Sequence, residues 1–574
     1  MGNLVLGTVA CIFTATVCLK LSTWRKNYKA AEKAGFRTFY SPVYYADLWW
    51  LVLHTFLVPY LELLPKSWKQ PWLPLAQLWR IWHVGHKPFE EVGSDTIILA
   101  APNGKVLWTC DPSVVKQLYS SPTAQNPVKT LKPFLDVWGP IISTVEGEEW
   151  KVHRRIISYG LNPSTYATVW KEAIHQTNGL IDCWIRNGSV IPVVQYWTSR
   201  IILYILSSVL FNRRLDWKEQ PENSRFPSRG YQVDFETALF TVVARFGLIA
   251  VLPRVLLKLP IKGFREAHDA LTALTEYMQD MRSRTIDRID EVASKPTKSL
   301  LESIVFAGTP GPHQNEARTL SEESVLGNLF LTLMAGHDTV ANTLAFTLLL
   351  LTIYPEYQKE IQMELDHRLG DRPQGQCSIE REYPILQKGF LGAVLKESMR
   401  VYSVIEFGIK VTVERTVVND SKGEQHTIPK DTTCFINFPA AFQNHSVWPQ
   451  REISPERRAE LHNSHAIDFD PGRWLGDLAQ VNTDSYFPFA MGSRNCPGKP
   501  FAEIELVAIL ATLLKTYSIE LVVDEDTLRN ANGDQKLAWE NARDEAFRKL
   551  EDNVMVNFNV HMTKELPIRI TRRD

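Results

Sequence analysis

Phe489-Ala-Met-Gly492-Ser-Arg494-Asn-Cys496-Pro-Gly498 lies near the C-terminal end of a 574-residue chain, and its reading decides the fold. The cysteine stands in a loop punctuated by glycine and proline, two residues after an arginine and just ahead of an apolar run. Such a loop suits a single thiolate held toward an iron. Glycine at 492 and 498 permits backbone conformations, and a close approach to a flat cofactor, that a Cβ obstructs. Phe489 shields one side of the sulfur. From Pro500 the run Phe-Ala-Glu-Ile-Glu-Leu-Val-Ala-Ile-Leu-Ala-Thr-Leu-Leu predicts a buried helix. The dipole and free N–H groups at its N-terminus favour a deprotonated sulfur. Arg494 supplies a fixed cation for an acidic cofactor group such as a propionate. The competing reading is a buried structural cysteine, which predicts nothing about the remainder of the chain.

The ten residues resemble the haem-binding loop of the cytochrome P450 family, F-x-x-G-x-R-x-C-x-G. Phe489, Gly492, Arg494, Cys496 and Gly498 match it in register. The resemblance implies a mainly α fold with a small β region, haem b as cofactor and Cys496 as the axial thiolate on iron.

Four further segments agree with it in order. Glu322 to Leu351 reads as a long apolar helix interrupted by Ala335-Gly336-His337-Asp338-Thr339. Unpaired buried polar groups cost a few kcal/mol, and Gly336 weakens a helix by roughly 1 kcal/mol relative to alanine. The segment resembles the family's A-G-x-D-T. That implies a turn widened at Gly336 as a groove for dioxygen, with Asp338 and Thr339 as the proton route. Glu397 and Arg400 are three apart in Leu395-Lys-Glu397-Ser-Met-Arg400, so they share one helix face. With Arg473 of Pro471-Gly-Arg473 they resemble the family's buried Glu–Arg–Arg lock, which supports the cysteine loop and does no chemistry. Trp150 and Arg154, in Trp150-Lys-Val-His-Arg154, resemble its W-x-x-x-R helix and imply two donors to a haem propionate. His153 and Arg155 read as surface residues. Lys410 is a further candidate propionate partner.

Composition bounds the rest. A net charge of −1 gives no drive toward nucleic acid, and none is expected as a partner. Seven scattered cysteines without a CxxC pair exclude a zinc-finger or disulfide framework. Leu4 to Leu19 carries no charge, and the uncharged run from Met1 spans about 28 Å as a helix, close to a hydrocarbon core of about 30 Å. Lys20, Arg25, Lys26, Lys29 and Lys33 follow it, and the positive-inside rule leaves the body cytosolic. A cleaved signal would place positive charge before the run and a small-residue cleavage site after it. The expectation is therefore an N-terminal transmembrane helix over residues 1–35, an interfacial apolar segment and linker over 36–75, and a haem-thiolate domain over 76–574. The segment Leu48 to Leu64, broken by His54, Pro59 and Glu62, suits a helix lying in the interface. Arg451 to Ile467 and Asp524 to Asp552, both rich in charge, read as solvated surface insertions.

No phosphate-cradling G-x-G-x-x-G follows a strand, so electrons come from a separate protein. For a body anchored in the endoplasmic reticulum membrane, the resemblance implies NADPH–cytochrome P450 reductase, with cytochrome b5 as a further partner. The implied activity is monooxygenation of a lipophilic small molecule. Local wording similar to filamentous-fungal members points to secondary metabolite biosynthesis of terpenoid, polyketide or alkaloid type. A haem-thiolate isomerase or dehydratase, and a non-enzymatic haem-binding membrane protein, are the rival classes. The first class tends to lose the acid–threonine pair present here as Asp338 and Thr339, and the second has no use for a proton route.

Overall fold

A computed structural model describes residues 2–215, 217, 233–309, 319–370, 372, 377–476, 483–557, 559–564 and 566–573, with the backbone alone described at 2–13, 251 and 557. The chain divides into two compact units: Met1–Pro127 with Ile405–Gln450 and Val481–Cys496, and Val128–Val404 with Arg451–Gln480 and Pro497–Asp574.

The first unit is built on a six-stranded sheet in the order Arg37–Tyr40, Thr96–Ala101, Gly104–Thr109, Thr432–Asn437, Phe407–Thr412, Ala124–Gln125. Thr96–Ala101 and Gly104–Thr109 form an antiparallel hairpin, and the strands flanking that hairpin run parallel to it. Thr96-Ile-Ile-Leu-Ala-Ala is buried at every residue, which its nearly unbroken apolar sequence requires. Part of its cover comes from the helix Gly2–Glu32. Trp24 Nε1 donates to the Ala100 carbonyl at 2.7 Å, Asn27 Nδ2 donates to that of Ala101 at 2.8 Å, and Tyr28 stacks on Tyr40 with ring centroids 4.0 Å apart.

The basic stretch after the apolar run is thus the far end of one helix, and its uncharged face is tied to the sheet. The transmembrane anchor expected over residues 1–35 is not supported. Among the described residues no helix is long and apolar enough to cross a membrane, and the side chains of residues 2–13, within the apolar run, lie outside those described. The second apolar stretch forms the helix Leu48–Leu61, with Trp50 and Val58 buried. Phe56, Tyr60, Leu63 and Trp68 along and after it are 70–82% exposed.

The second unit is mainly helical. Its longest helix, Glu322–Ile353, starts at Ser321, whose hydroxyl accepts the Ser324 N–H at 3.1 Å. From Val340 onward every residue of it is buried, as an all-round apolar sequence predicts for a core helix. It packs against Val194–Phe211, Lys262–Ile286 and Phe390–Val401. The β content is a sheet of Tyr517–Leu521, Ile568–Arg572 and Val190–Ile191, and a hairpin of Val554–Asn557 with Asn559–Met562.

The charged insertions are not merely solvated. Helix Gln535–Asp552 buries Ala538, Ala542, Ala546, Phe547 and Leu550. Arg451 and Arg543 each lie over the Tyr354 ring, at 5.4 and 5.0 Å, while the Tyr354 hydroxyl donates to the Ala466 carbonyl. Arginine packs a planar cation on an aromatic face, so a high count of charges did not mean a solvated segment.

Candidate active site

The cysteine loop lies in the first unit. Its ends are drawn together by the Cys496 N–H, which donates to the Phe489 carbonyl at 2.8 Å. Ala490 and Gly492 have φ of +57° and +68°, and the residues Gly492–Arg494 form one 3₁₀ turn. A Cβ on Gly492 would lie 2.6 Å from the Tyr119 carbonyl oxygen, so both the backbone conformation and the space demand glycine. Gly498 differs from expectation. Its φ of −83° and ψ of 1° are open to any residue, which leaves only the close-approach argument for a glycine there. Helix Lys499–Thr516 begins three residues after Cys496.

The cysteines sort by exposure. Cys110 and Cys434 are sealed, and burial raises both thiols, Cys434 up to about 12. Cys496 is exposed in its closed loop. Arg494 is half-buried. Lys410 is buried, with Nζ donating to Asn126 Oδ1 at 3.0 Å.

In the second unit, Trp150 and Arg154 are half-buried, one turn apart on the helix Gly147–Gly160. Between them His153, expected at the surface, is 2% exposed. It pairs with the Asn328 carboxamide of the long helix (Nδ1 to Nδ2, 3.1 Å), and burial lowers its pKa. An amphipathic helix places position 153 on the face opposite its charged neighbours, and the sequence alone did not show that Asn328 would receive it.

The Glu–Arg–Arg lock is present, and larger than its motif. Glu397 is fully buried. Its Oε1 accepts from Arg400 Nη2 at 2.7 Å, Arg473 Nε at 2.9 Å and the Asp470 N–H at 3.0 Å. Its Oε2 accepts from Arg400 Nε at 2.9 Å and Trp474 Nε1 at 2.8 Å. Arg400 also donates to the Asp468 carbonyl at 2.9 Å. Five donors on one carboxylate offset its desolvation.

The polar group of the long helix resolves into three separate solutions. His337 turns inward, with Nε2 donating to the Ser199 carbonyl at 3.0 Å, and burial holds its pKa down. Thr339 Oγ1 donates back to the Ala335 carbonyl at 2.8 Å. Asp338 accepts from Asn342 Nδ2 at 3.2 Å and Asn559 Nδ2 at 2.5 Å. The widened turn expected at Gly336 is absent as a break, for the helix runs α-helical throughout. A Cβ on Gly336 would lie 3.3 Å from Leu206, so its smallness serves the packing of Val194–Phe211. Ala335 is exposed, and Leu331 and Thr339 are half-buried, giving an open i, i+4, i+8 stripe on a helix otherwise largely sealed.

Two other clusters hold metal-capable groups in the first unit: His86, Asp95 and Cys110, and Asp420, Glu424 and His426. Both flank a cleft of about 940 Å³ that contains no predicted site residue. Asp95 is already engaged by His86 and Asn444, and Asp420 by His426 and two backbone N–H groups.

The model of the cytochrome P450 family matches residues 105–545. The chain belongs to the cytochrome P450 family. A cytochrome P450 monooxygenase of Arthrobotrys oligospora is 25% identical over 539 residues, 88% of this chain and 90% of that one. The phomenoic acid biosynthesis cluster cytochrome P450 monooxygenase of Leptosphaeria maculans is 23% identical, covering 82% and 83%. Human cytochrome P450 4F8 is 25% identical, covering 78% and 84%. The crystal structure of the cytochrome P450DA haem domain superposes with a TM-score of 0.63 at 17% identity, over 86% of this chain and 95% of that one, and shares its fold.

This P450 is a haem-thiolate monooxygenase. Its residues fit the cofactor: the exposed thiol of Cys496 in a closed loop, two residues after the half-buried cation Arg494.

Proposed function

We propose that this P450 oxidises a lipophilic small molecule of fungal secondary metabolism at the endoplasmic reticulum membrane, with electrons from NADPH through cytochrome P450 reductase and cytochrome b5 as an auxiliary donor. The secondary-metabolism reading is supported by the Leptosphaeria relative, which belongs to a phomenoic acid biosynthesis cluster. The membrane reading is supported by the exposed apolar side chains between Leu48 and Trp68.

Cys496 would hold the iron as thiolate, and Trp150, Arg154 and Arg494 are the residues that would hold the propionates. Bound haem would supply dioxygen activation, which a thiolate ligand favours. Asp338 carries the proton at its carboxylate, and the Thr339 hydroxyl passes it on by exchanging its bond to the Ala335 carbonyl. The open stripe Leu331–Ala335–Thr339 carries this reading, since it sets the alcohol, with half-buried Asp338 next to it, beside accessible space on a helix otherwise largely sealed. Phe489 limits water at the sulfur.

The test is spectroscopic first. Reduced protein with carbon monoxide gives the red-shifted Soret band of thiolate ligation, and Cys496→His loses it. A Cys496→His protein that retained the band would overturn the ligand assignment. With reductase and NADPH, oxygen consumption should respond to lipophilic candidates, and silence across fatty acid, terpenoid and polyketide candidates would overturn the substrate class.

A further inference from the structure

Asp338 is held by two carboxamides from different parts of the chain. Asn342, one turn on, donates to Oδ1 at 3.2 Å. Asn559, from the hairpin near the C-terminus, donates to Oδ2 at 2.5 Å. The orientation of each amide is fixed by chemistry. A carboxylate only accepts, so each Nδ2 must face it. Asn342 is locked further, its Oδ1 accepting from Gln195 Nε2 at 2.9 Å. Asn559 is 1% exposed, and its own Oδ1 has no hydrogen-bond partner among the described residues. Leaving a buried acceptor unpaired costs about 1–3 kcal/mol, so a water on this oxygen is favoured. Its backbone is also pinned near this point, for the Val560 N–H donates to the Val404 carbonyl at 3.0 Å.

We infer that Asn559 is the positioning residue for proton delivery at Asp338: the hairpin carboxamide and Asn342 together hold both carboxylate oxygens, so Asp338 transfers a proton only after exchanging the Asn559 N–H for water. This deepens, and rests on, the reading of Asp338 as the proton carrier. The unpaired Asn559 Oδ1 is the acceptor on which that water docks, and the hairpin sets the direction in which Asp338 is released.

Three full-chain variants separate the outcomes, each checked for haem content and the carbon monoxide spectrum. The readout is the fraction of consumed oxygen released as hydrogen peroxide with reductase and NADPH. Asp338→Asn should raise that fraction; if it does not, the proton-carrier reading itself falls. Asn559→Ala should also raise it, at least about twofold, a small part of the roughly 10²–10⁴ that a placed proton donor contributes. A normal fraction in Asn559→Ala beside a raised one in Asp338→Asn would overturn this inference and leave the carrier standing.

Asn559→Asp supplies a readout independent of turnover, and a variant should the alanine fail to fold. Two carboxyls at this contact share one proton, so one pKa rises. The folded state then holds an extra proton, and stability falls as pH rises through the raised value. The melting temperature of Asn559→Asp should decline between about pH 5 and 8 more steeply than that of the wild type. Parallel curves would show that the two side chains do not meet.

Discussion

At the scale of single residues, Glu397 and Glu551 are opposite cases: the first carboxyl is fully buried, the second half-buried and 15% exposed. Glu397 meets five donors, and replacing it by glutamine removes an acceptor from two arginines and leaves their charge uncompensated. Glu397→Gln should cost about 3–5 kcal/mol, read by chemical unfolding of the holoprotein, with a parallel fall in haem per chain. Glu551 has one backbone donor, His465, and burial pushes its pKa up to about 8 against roughly 4.3 unfolded. The folded state therefore binds the extra proton between those values, and its stabilising contribution is full below the lower one and lost as pH rises through the upper. Glu551→Gln should flatten the stability–pH curve between pH 5 and 8, by at most about 1.4 kcal/mol per pH unit. Glutamate frequency says nothing of this difference. Glu397 was legible because its partners lie in short motifs; Glu551 was hidden because burial of its helix depends on Tyr354, nearly two hundred residues away.

At the scale of elements, the two glycines of the cysteine loop part company. Gly492→Ala places a Cβ on the Tyr119 carbonyl oxygen and forces a left-handed residue, at roughly 1–2 kcal/mol for the backbone alone. It should lower both the melting temperature and the haem content. Gly498→Ala meets no backbone penalty, since its φ is ordinary. It should leave the melting temperature of haem-free protein unchanged, so any haem lost from it reports crowding of the cofactor. The motif alone treats the two positions as equivalent. The long helix tells the same lesson: its sequence revealed a polar interruption, and the structure alone showed His337, Asp338 and Thr339 bonding in three directions. Asn559 lies 221 residues from Asp338, and a lone asparagine in a short strand carries no signal that could have found it.

At the scale of the whole molecule, the proposed membrane contact rests on the exposed apolar side chains from Leu48 to Trp68, and not on the run before Lys20. A chain lacking residues 1–19 should still bind phosphatidylcholine vesicles in flotation. Phe56→Ser, Leu63→Ser and Trp68→Ser together should release it at least about tenfold, each side chain being worth about 1.5–3 kcal/mol when withdrawn from water. Retained binding in the triple variant would place the contact elsewhere.

The sequence by itself determined the family, the mainly α fold and the candidate thiolate, because these rest on short stretches whose glycines, cysteine and charges act within a turn or two of one another. The tertiary structure alone decided which charges are buried, that the end of the N-terminal helix covers a sheet, and what holds Asp338. Those depend on side chains meeting across hundreds of residues, where desolvation and geometry, and not local spacing, set the outcome.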